Sequence, residues 1–500
     1  MNTHTAASTR ERSTEVQHFD VLIVGAGIAG VGAAYHLQTQ DPGRTFKVLE
    51  AQAGFGGTWR THKYPGVRSD SDLHTFGYRF KPWQGAPIAT GQEILSYMAE
   101  VIEENDLARH IQYQTHIQSA RWSSQDGLWH VEARRLDTGV TEHYSANFLW
   151  MCQGYYRHTE GYTPEWPGMA DFKGRIVHPQ TWPEDLDWRG KRIVVIGSGA
   201  TAATLIPALA DEAAHVTMLQ RSPTYFTPGR NRNELAETLR ELDIDPDWTH
   251  EIVRRSILLN SAKLGKRREE NPELVREELL GVLRKLLGDE YVAKHFTPSY
   301  AVWRQRICFV PNGDFFESIK AGKASVVTDT IDRFTEAGIQ LSSGETLDAD
   351  IIVTATGFNL NVLGDIQFSI DNEPLDLSKT VTYRGMMFTG VPNLIWVFGY
   401  FRASWTLRAD LIGDFVPRLL KHMDAKGSRS VTVALRPEDQ EMPLGDWIDQ
   451  ENFNPGYLMR GMHLMPRSGA KREWRHTQDY WSEKDEFPLI DLDDRAFVYG

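Results

Sequence analysis

Cysteine is almost missing from this chain: there are two in 500 residues, Cys152 and Cys308. Two cannot build a disulfide framework, they form no CxxC pair, and they suit a reducing compartment. Long hydrophobic runs are missing too. The nearest is NLIWVFGYF, far short of the 18 or more apolar residues that a membrane helix needs, so no span is expected. Positive charge is in short supply, with 54 Lys and Arg against 67 Asp and Glu and a net charge of -13. That balance argues against a sequence-independent nucleic-acid binder, which depends on a basic surface. The opening MNTHTAASTRERSTEVQ lacks the apolar core of a secretion signal, and Glu11 and Glu15 fit an organelle transit peptide poorly. Residues 1–17 are expected to be a disordered tail, the protein to be cytoplasmic, and no metal site to be present.

What remains is ordinary for a globular enzyme: 41% hydrophobic, 24% charged and 11% aromatic residues. At roughly 150 residues per domain the length predicts two to four domains. From Phe19 the chain reads FDVLIVGAGIAGVGAAYHL, an apolar run of strand length, then glycines, then a helix former. Gly25, Gly27 and Gly30 make GxGxxG, a spacing that brings backbone close to a pyrophosphate and points a helix N-terminus at it. A second strand, Phe46 to Leu49, ends in Glu50, 20 residues beyond Gly30, where a carboxylate can hold ribose hydroxyls.

The pattern returns at RIVVIGSGATAATLIPALA, with Gly197, Gly199 and Ala202 and a following strand, His215 to Leu219. Nineteen residues beyond Ala202 stands Arg221, in Gln220-Arg221-Ser222, where an NAD site would carry an acid. A guanidinium there suits a 2′-phosphate through a charge-assisted contact of about 1.5–3 kcal/mol. The first loop therefore reads as an FAD site and the second as an NADPH site, which together predict a flavoenzyme reduced by NADPH. The wide separation of Cys152 and Cys308 disfavours relatives that pass electrons to a disulfide.

NFLWMCQGYY reads as a buried strand ending at Gly154, and ADIIVTATGFN as another ending at Gly357. The predicted fold class is α/β, with two Rossmann-like dinucleotide-binding domains, the second inserted in the first. The FAD domain takes residues 18–157 and 366–500, and the NADPH domain residues 158–365. Inside the insertion, residues 231–295 turn rich in Leu, Glu, Arg and Lys. Leu279, Leu280, Leu283, Leu286 and Leu287 recur at helical steps, predicting a helical subdomain with a core-facing stripe.

Between the two loops, Phe172, Gly174, His178, Trp182 and Pro183 spell FxGxxxHxxxWP. This resembles the signature of type I Baeyer–Villiger monooxygenases, class B flavoprotein oxygenases. The segments GGTWRTHKYPGVRSDSD, VTMLQRSPTY, QRICFVPNGDFF, ATGFN and ASWTLRADL are similar to the ethionamide-activating subgroup of that family. The resemblance implies that NADPH-reduced flavin reacts with O2 and the resulting C4a-peroxyflavin attacks a ketone, giving an ester or lactone. Sulfoxidation of thioethers is an implied side activity. A flavin N- or S-oxygenase and a non-oxygenating NADPH–flavin reductase stay open as alternatives, as does the oligomeric state.

The resemblance also assigns residues. Arg306 stands at the family's active-site arginine, and Asp70 at its carboxylate partner, with Asp72 as the other candidate. Gln305 replaces the lysine that several members use for the 2′-phosphate, so NADPH preference rests on Arg221. Gly56, Gly57, Thr58 and Trp59 form a turn against the flavin. Ser198, Thr201 and Ser222 are expected to donate to phosphate oxygens, and Thr356 and Gly357 to border the cofactor. His178 and Trp182 are expected to couple domain motion to cofactor state. Tyr400 and Trp405 are expected to wall the substrate pocket, with Phe453 to Gly461 as a mobile segment beside it. Arg402 is a departure from the subgroup.

Overall fold

A computed structural model describes residues 16–451 and 453–500. Of the tail expected over residues 1–17, residues 1–15 lie outside the described residues. Val16 and Gln17 are not tail: they open the first strand, in register with His143 and Tyr144, so their backbone groups are paired.

The first sheet is assembled from β1 (Val16–Val24), β2 (Phe46–Leu49), β3 (Ile111–Gln112), β4 (Thr115–Ser123), β5 (Leu128–Arg135) and β6 (Thr141–Met151). Between β1 and β2 runs α1 (Ile28–Gln40), and between β2 and β3 lies the short α2 (Leu73–Phe76). β1 lies parallel between β2 and β6. Val21, Leu22 and Ile23 are wholly buried because a parallel strand is covered on both faces, which is why this stretch reads as an unbroken apolar run. After β6 the chain crosses out through β7 (Tyr156–Gly161).

The second sheet holds β8 (Arg175–Val177), β9 (Arg192–Ile196) and β10 (His215–Gln220), with α3 (Ala200–Ala210) between the last two. Four helices follow, α4 (Glu234–Glu241), α5 (Pro246–Glu270), α6 (Pro272–Leu287) and α7 (Asp289–His295), and then β11 (Ala324–Thr328) and β12 (Ile351–Thr354). The strand order is β11-β10-β9-β12-β8, all parallel. The leucine stripe of α6 does face a core: Leu280 and Leu283 are buried, with Leu279, Leu286 and Leu287 packed beside them.

The return crossing, β13 (Phe358–Leu360), pairs antiparallel with β7. β14 (Gln367–Ile370) then joins β4, β15 (Glu373–Pro374) extends that edge, and β16 (Leu394–Trp396) joins β6. The chain closes the first half with α8 (Trp405–Lys426), which packs on α1, and α9 (Gly456–Gly461). The two halves are also joined away from the crossings. Arg254 on α5, 3% exposed, donates Nη1 to the carbonyls of His74, Thr75 and Gly77 at 3.2 Å each and lies 3.6 Å from Asp410 of α8. A cation at the C-terminal carbonyls of α2 satisfies groups that a helix end leaves unpaired.

Candidate active site

Each glycine loop sits where its strand ends against a neighbour, so backbone must approach backbone. A Cβ on Gly30 would stand 1.8 Å from the Gly25 carbonyl oxygen, and one on Gly25 would stand 2.9 Å from that of Cys152. At the second loop a Cβ on Gly197 would stand 2.3 Å from the Ala355 carbonyl oxygen. Gly25 and Gly197 also have φ of +96° and +122°, open to glycine and strained for other residues. α1 starts behind Gly27 and α3 behind Gly199, neither with a side-chain cap, leaving first-turn amides for an anionic ligand.

Glu50, 5% exposed, accepts from the amides of Ala26 at 2.6 Å and Gln52 at 2.7 Å, one on each oxygen. Burial pushes this carboxyl up from its usual range while the two amides oppose the shift. Each oxygen keeps a further lone pair for a ribose hydroxyl. At the second loop Arg221 and Ser222 are exposed, and Ser198 bonds Thr224 Oγ1 at 2.9 Å. Thr201 bonds the Tyr64 hydroxyl. Arg221 makes no ion pair among the described residues.

The GGTW turn lies between the first loop and the crossing. Gly57 (φ +53°) is against Gly27, Thr58 Oγ1 bonds the Tyr156 hydroxyl at 2.7 Å, and half-buried Trp59 meets Phe76 edge-on at 5.7 Å. At the crossing itself His178 joins both strands. Its Nδ1 accepts from the Gln180 amide at 3.1 Å, which leaves Nε2 to donate to the Gly357 carbonyl at 3.2 Å. A Cβ on Gly161 of β7 would fall 1.9 Å from the same ring. Burial holds His178 below its ordinary value, hence neutral. Thr356 donates to the Tyr162 carbonyl at 2.5 Å. Phe172 is buried, Gly174 packs on the Asp350 carbonyl, Pro183 accepts from the Leu186 amide and Trp182 meets Trp188 edge-on.

Arg306 and Asp70 meet side-on: Nε to Oδ2 is 2.8 Å and Nη2 to Oδ1 is 2.9 Å, with Ser71 Oγ at 3.3 Å from Nη2. The pair is half-open, the side chains being 39% and 34% exposed. Asp72 does another task, capping α2 through the His74 amide and bonding His74 Nδ1. Two links place Arg306 between the loops. Cys308, two residues on, lies 4.0 Å from the Ser198 carbonyl oxygen, and Arg306 acts electrostatically on Tyr155, whose neighbour Tyr156 holds Thr58.

Residues 87–232 match the flavin-binding monooxygenase-like family, and residues 23–83 an NAD(P)-binding Rossmann-like domain. The FAD-containing monooxygenase EthA of Mycobacterium tuberculosis is 45% identical over 468 residues, 93% of this chain and 94% of its own. EthA of Mycolicibacterium smegmatis is 45% identical over 471 residues, again 93% and 94%. This chain belongs to the flavin-binding monooxygenases. A solved structure of oxidized steroid monooxygenase bound to NADP superposes with a TM-score of 0.76 at 25% identity, covering 97% of this chain and 99% of that one.

For a flavin-binding monooxygenase the residues fit two dinucleotides. At both cradles the first-turn amides are uncapped by any side chain and the glycines carry no side chain to cover them, which fits a pyrophosphate. Tyr400 is not brought to Arg306. Its hydroxyl bonds Glu483 at 2.5 Å, within a wholly buried ion pair of Glu483 with Arg408, because that pair needs a further donor to its carboxylate. Trp405 is brought there, stacked on Tyr155 at 5.2 Å. Arg402 donates to the Trp303 carbonyl at 3.1 Å and lies over the Phe453 ring, and burial with Arg268 nearby lowers it to about 10. Among described residues of the Phe453–Gly461 segment, most form α9, with Phe453 stacked on Phe401 at 4.9 Å. Sequence reasoning missed Tyr155, whose only local signal is the doubled tyrosine after Gly154.

Proposed function

We propose that this monooxygenase is of the Baeyer–Villiger type: with FAD and NADPH it inserts one oxygen atom of O2 beside a ketone carbonyl, giving an ester or lactone. Oxidation of thioethers to sulfoxides accompanies it. The carrying observation is the side-on Arg306–Asp70 pair between the two glycine loops. Bound FAD, once reduced by NADPH, supplies the activated oxygen. The protein's task is to hold charge: a fixed cation about 4 Å from an anion is worth about 4 kcal/mol at an effective dielectric near 20, and less while the pocket stands open to water. Asp70 fixes the guanidinium through Nε and Nη2, so Arg306 faces the reacting atoms in one orientation.

Gly25, Gly27, Gly30, Glu50, Gly57, Thr58 and Trp59 are assigned to FAD, with Asp70, Thr356 and Gly357 at its border. Gly197, Ser198, Gly199, Thr201, Arg221 and Ser222 are assigned to NADPH. The FAD domain spans 16–157 and 366–500 and the NADPH domain 158–365. The substrate is a small ketone or thioether, and no described helix is long and apolar enough to cross a membrane. The two buried thiols suit a reducing compartment, the cytoplasm.

The test is turnover with NADPH, oxygen-18 gas, a panel of aliphatic, cyclic and aryl ketones, and a thioether. Labelled ester or lactone supports the reading. Labelled sulfoxide alone favours a heteroatom oxygenase, and hydrogen peroxide alone a reductase. Arg306→Ala is expected to lower ester formation at least a hundredfold; oxygenation at the wild-type rate refutes the charge-holding role.

A further inference from the structure

α9 carries a second functional group to the pocket. The preceding segment is tied to the arginine loop, the Asn454 amide donating to the Arg304 carbonyl at 3.1 Å. From there Tyr457 reaches over Gly357 and stands 6.0 Å ring to ring from Tyr155, with Phe358 of β13 at 6.2 Å on its other side. The Tyr155 ring is held from behind by Trp405 at 5.2 Å and Phe398 at 5.4 Å. Both phenols interact electrostatically with Arg306 and Asp70, and their hydroxyls pair with each other. One small space thus holds a cation, its carboxylate and two phenols, walled by apolar rings.

The chemistry of that set is one-sided. Burial, chiefly, holds the Tyr457 phenol well above its ordinary value, so it keeps its proton at any working pH and acts as a donor. Asp70 occupies Arg306 Nε and Nη2, and Nη1 carries no hydrogen bond to a described residue. For packing alone a phenylalanine would serve, since the Tyr457 ring already lies among aromatic neighbours. An apolar wall with a few convergent donors is the arrangement that fixes a neutral carbonyl, and a thioether sulfur makes little use of such donors.

We infer that, when a ketone binds, the Tyr457 hydroxyl turns its single proton from Tyr155 to the carbonyl oxygen, beside Arg306, and so selects carbonyl substrates over thioethers. This rests on the Baeyer–Villiger reading for its substrate but predicts a binding property that is measured apart from turnover. Tyr457→Phe removes one hydroxyl and keeps the ring. Wild type and variant are compared in three measurements. Ketone kcat/KM is expected to fall at least tenfold, while sulfoxidation of a thioether of the same size changes less than threefold. Titration of the oxidised, FAD-loaded enzyme with an unreactive carboxamide of the ketone's shape, followed by the flavin absorbance change, is expected to give a tenfold weaker Kd in the variant. Equal losses for ketone and thioether would mean a packing role and overturn the inference, as would an unchanged carboxamide Kd. If wild type makes no ester from any ketone, the Baeyer–Villiger reading fails, and the carboxamide titration still decides whether Tyr457 holds a carbonyl.

Discussion

At the first glycine loop the acid that ends β2, Glu50, is buried and bonded to the loop's own amides, whereas at the second the matching position carries Arg221, exposed on the rim. The third small residue differs in the same sense. Gly30 has no room for a methyl group, but the second loop carries Ala202, fully buried, in its place. The first loop is therefore welded into the sheet before any ligand arrives, and the second presents a charge to solvent. That contrast suits a dinucleotide that stays through many turnovers beside one that must enter and leave.

The contrast can be broken most directly at Gly30. Gly30→Ala places a methyl group 1.8 Å from the Gly25 carbonyl, so the loop must shift. The purified variant is expected to lose most of its flavin absorbance and, with it, all oxygenation. Retention of stoichiometric FAD would show that the first loop is no tighter than the second. Arg221→Ala probes the other side with a smaller effect: the KM for NADPH should rise at least tenfold, or about 1.4 kcal/mol, while NADH use is spared. Equal changes for both nucleotides would remove Arg221 from the 2′-phosphate.

The smallest effect is acid sensitivity. Burial lowers His62 and His158, next to the GGTW turn, to about 4, and likewise His250 on α5 and His295 beside β11. Their ordinary value is about 6.5, so in the folded protein they refuse protons that the unfolded chain accepts. Stability from these groups is complete above pH 6.5 and is lost as pH falls from 6.5 towards 4, by up to about 1.4 kcal/mol per pH unit for each withheld proton. His36, held by Asp410 and Asp414 against its burial and raised to about 9, is already charged in this window and adds nothing to the slope. Thermal melts should shift down between pH 6.5 and 5, with FAD release accompanying them, since two of the four histidines flank the GGTW turn. A flat profile would deny the first loop its buried histidine shell.

How far the sequence could be read follows from how local each feature is. Strand, turn, helix and the charged residue beyond the second strand, Glu50 at one loop and Arg221 at the other, fall within about thirty residues, and both units appear where the spacing places them. The two buried strands were also legible as apolar runs, though they end at Met151 and Thr354, short of the expected Gly154 and Gly357. Val16 and Gln17 were misread because nothing near them reveals that β6 will pair with them. Tyr400 was misplaced for a related reason. FGYFRASW is aromatic throughout, and only the fold turns Tyr400 to the Arg408–Glu483 pair and Trp405 to Tyr155.

By itself, then, the sequence determined two dinucleotide cradles, the order in which they are threaded, and the kinds of charge at their rims, since each depends on neighbours in the chain. Only the tertiary structure decided what meets between them. Arg306 and Asp70 are 236 positions apart, and family likeness, not periodicity, was the one hint of their meeting. Tyr155 and Tyr457 come from opposite sides of the insertion. Arg254 reaches from the inserted helices to the end of α2. Such contacts are set by how two sheets are crossed and held, because a side chain's partner across a cleft depends on the path of the whole backbone between them.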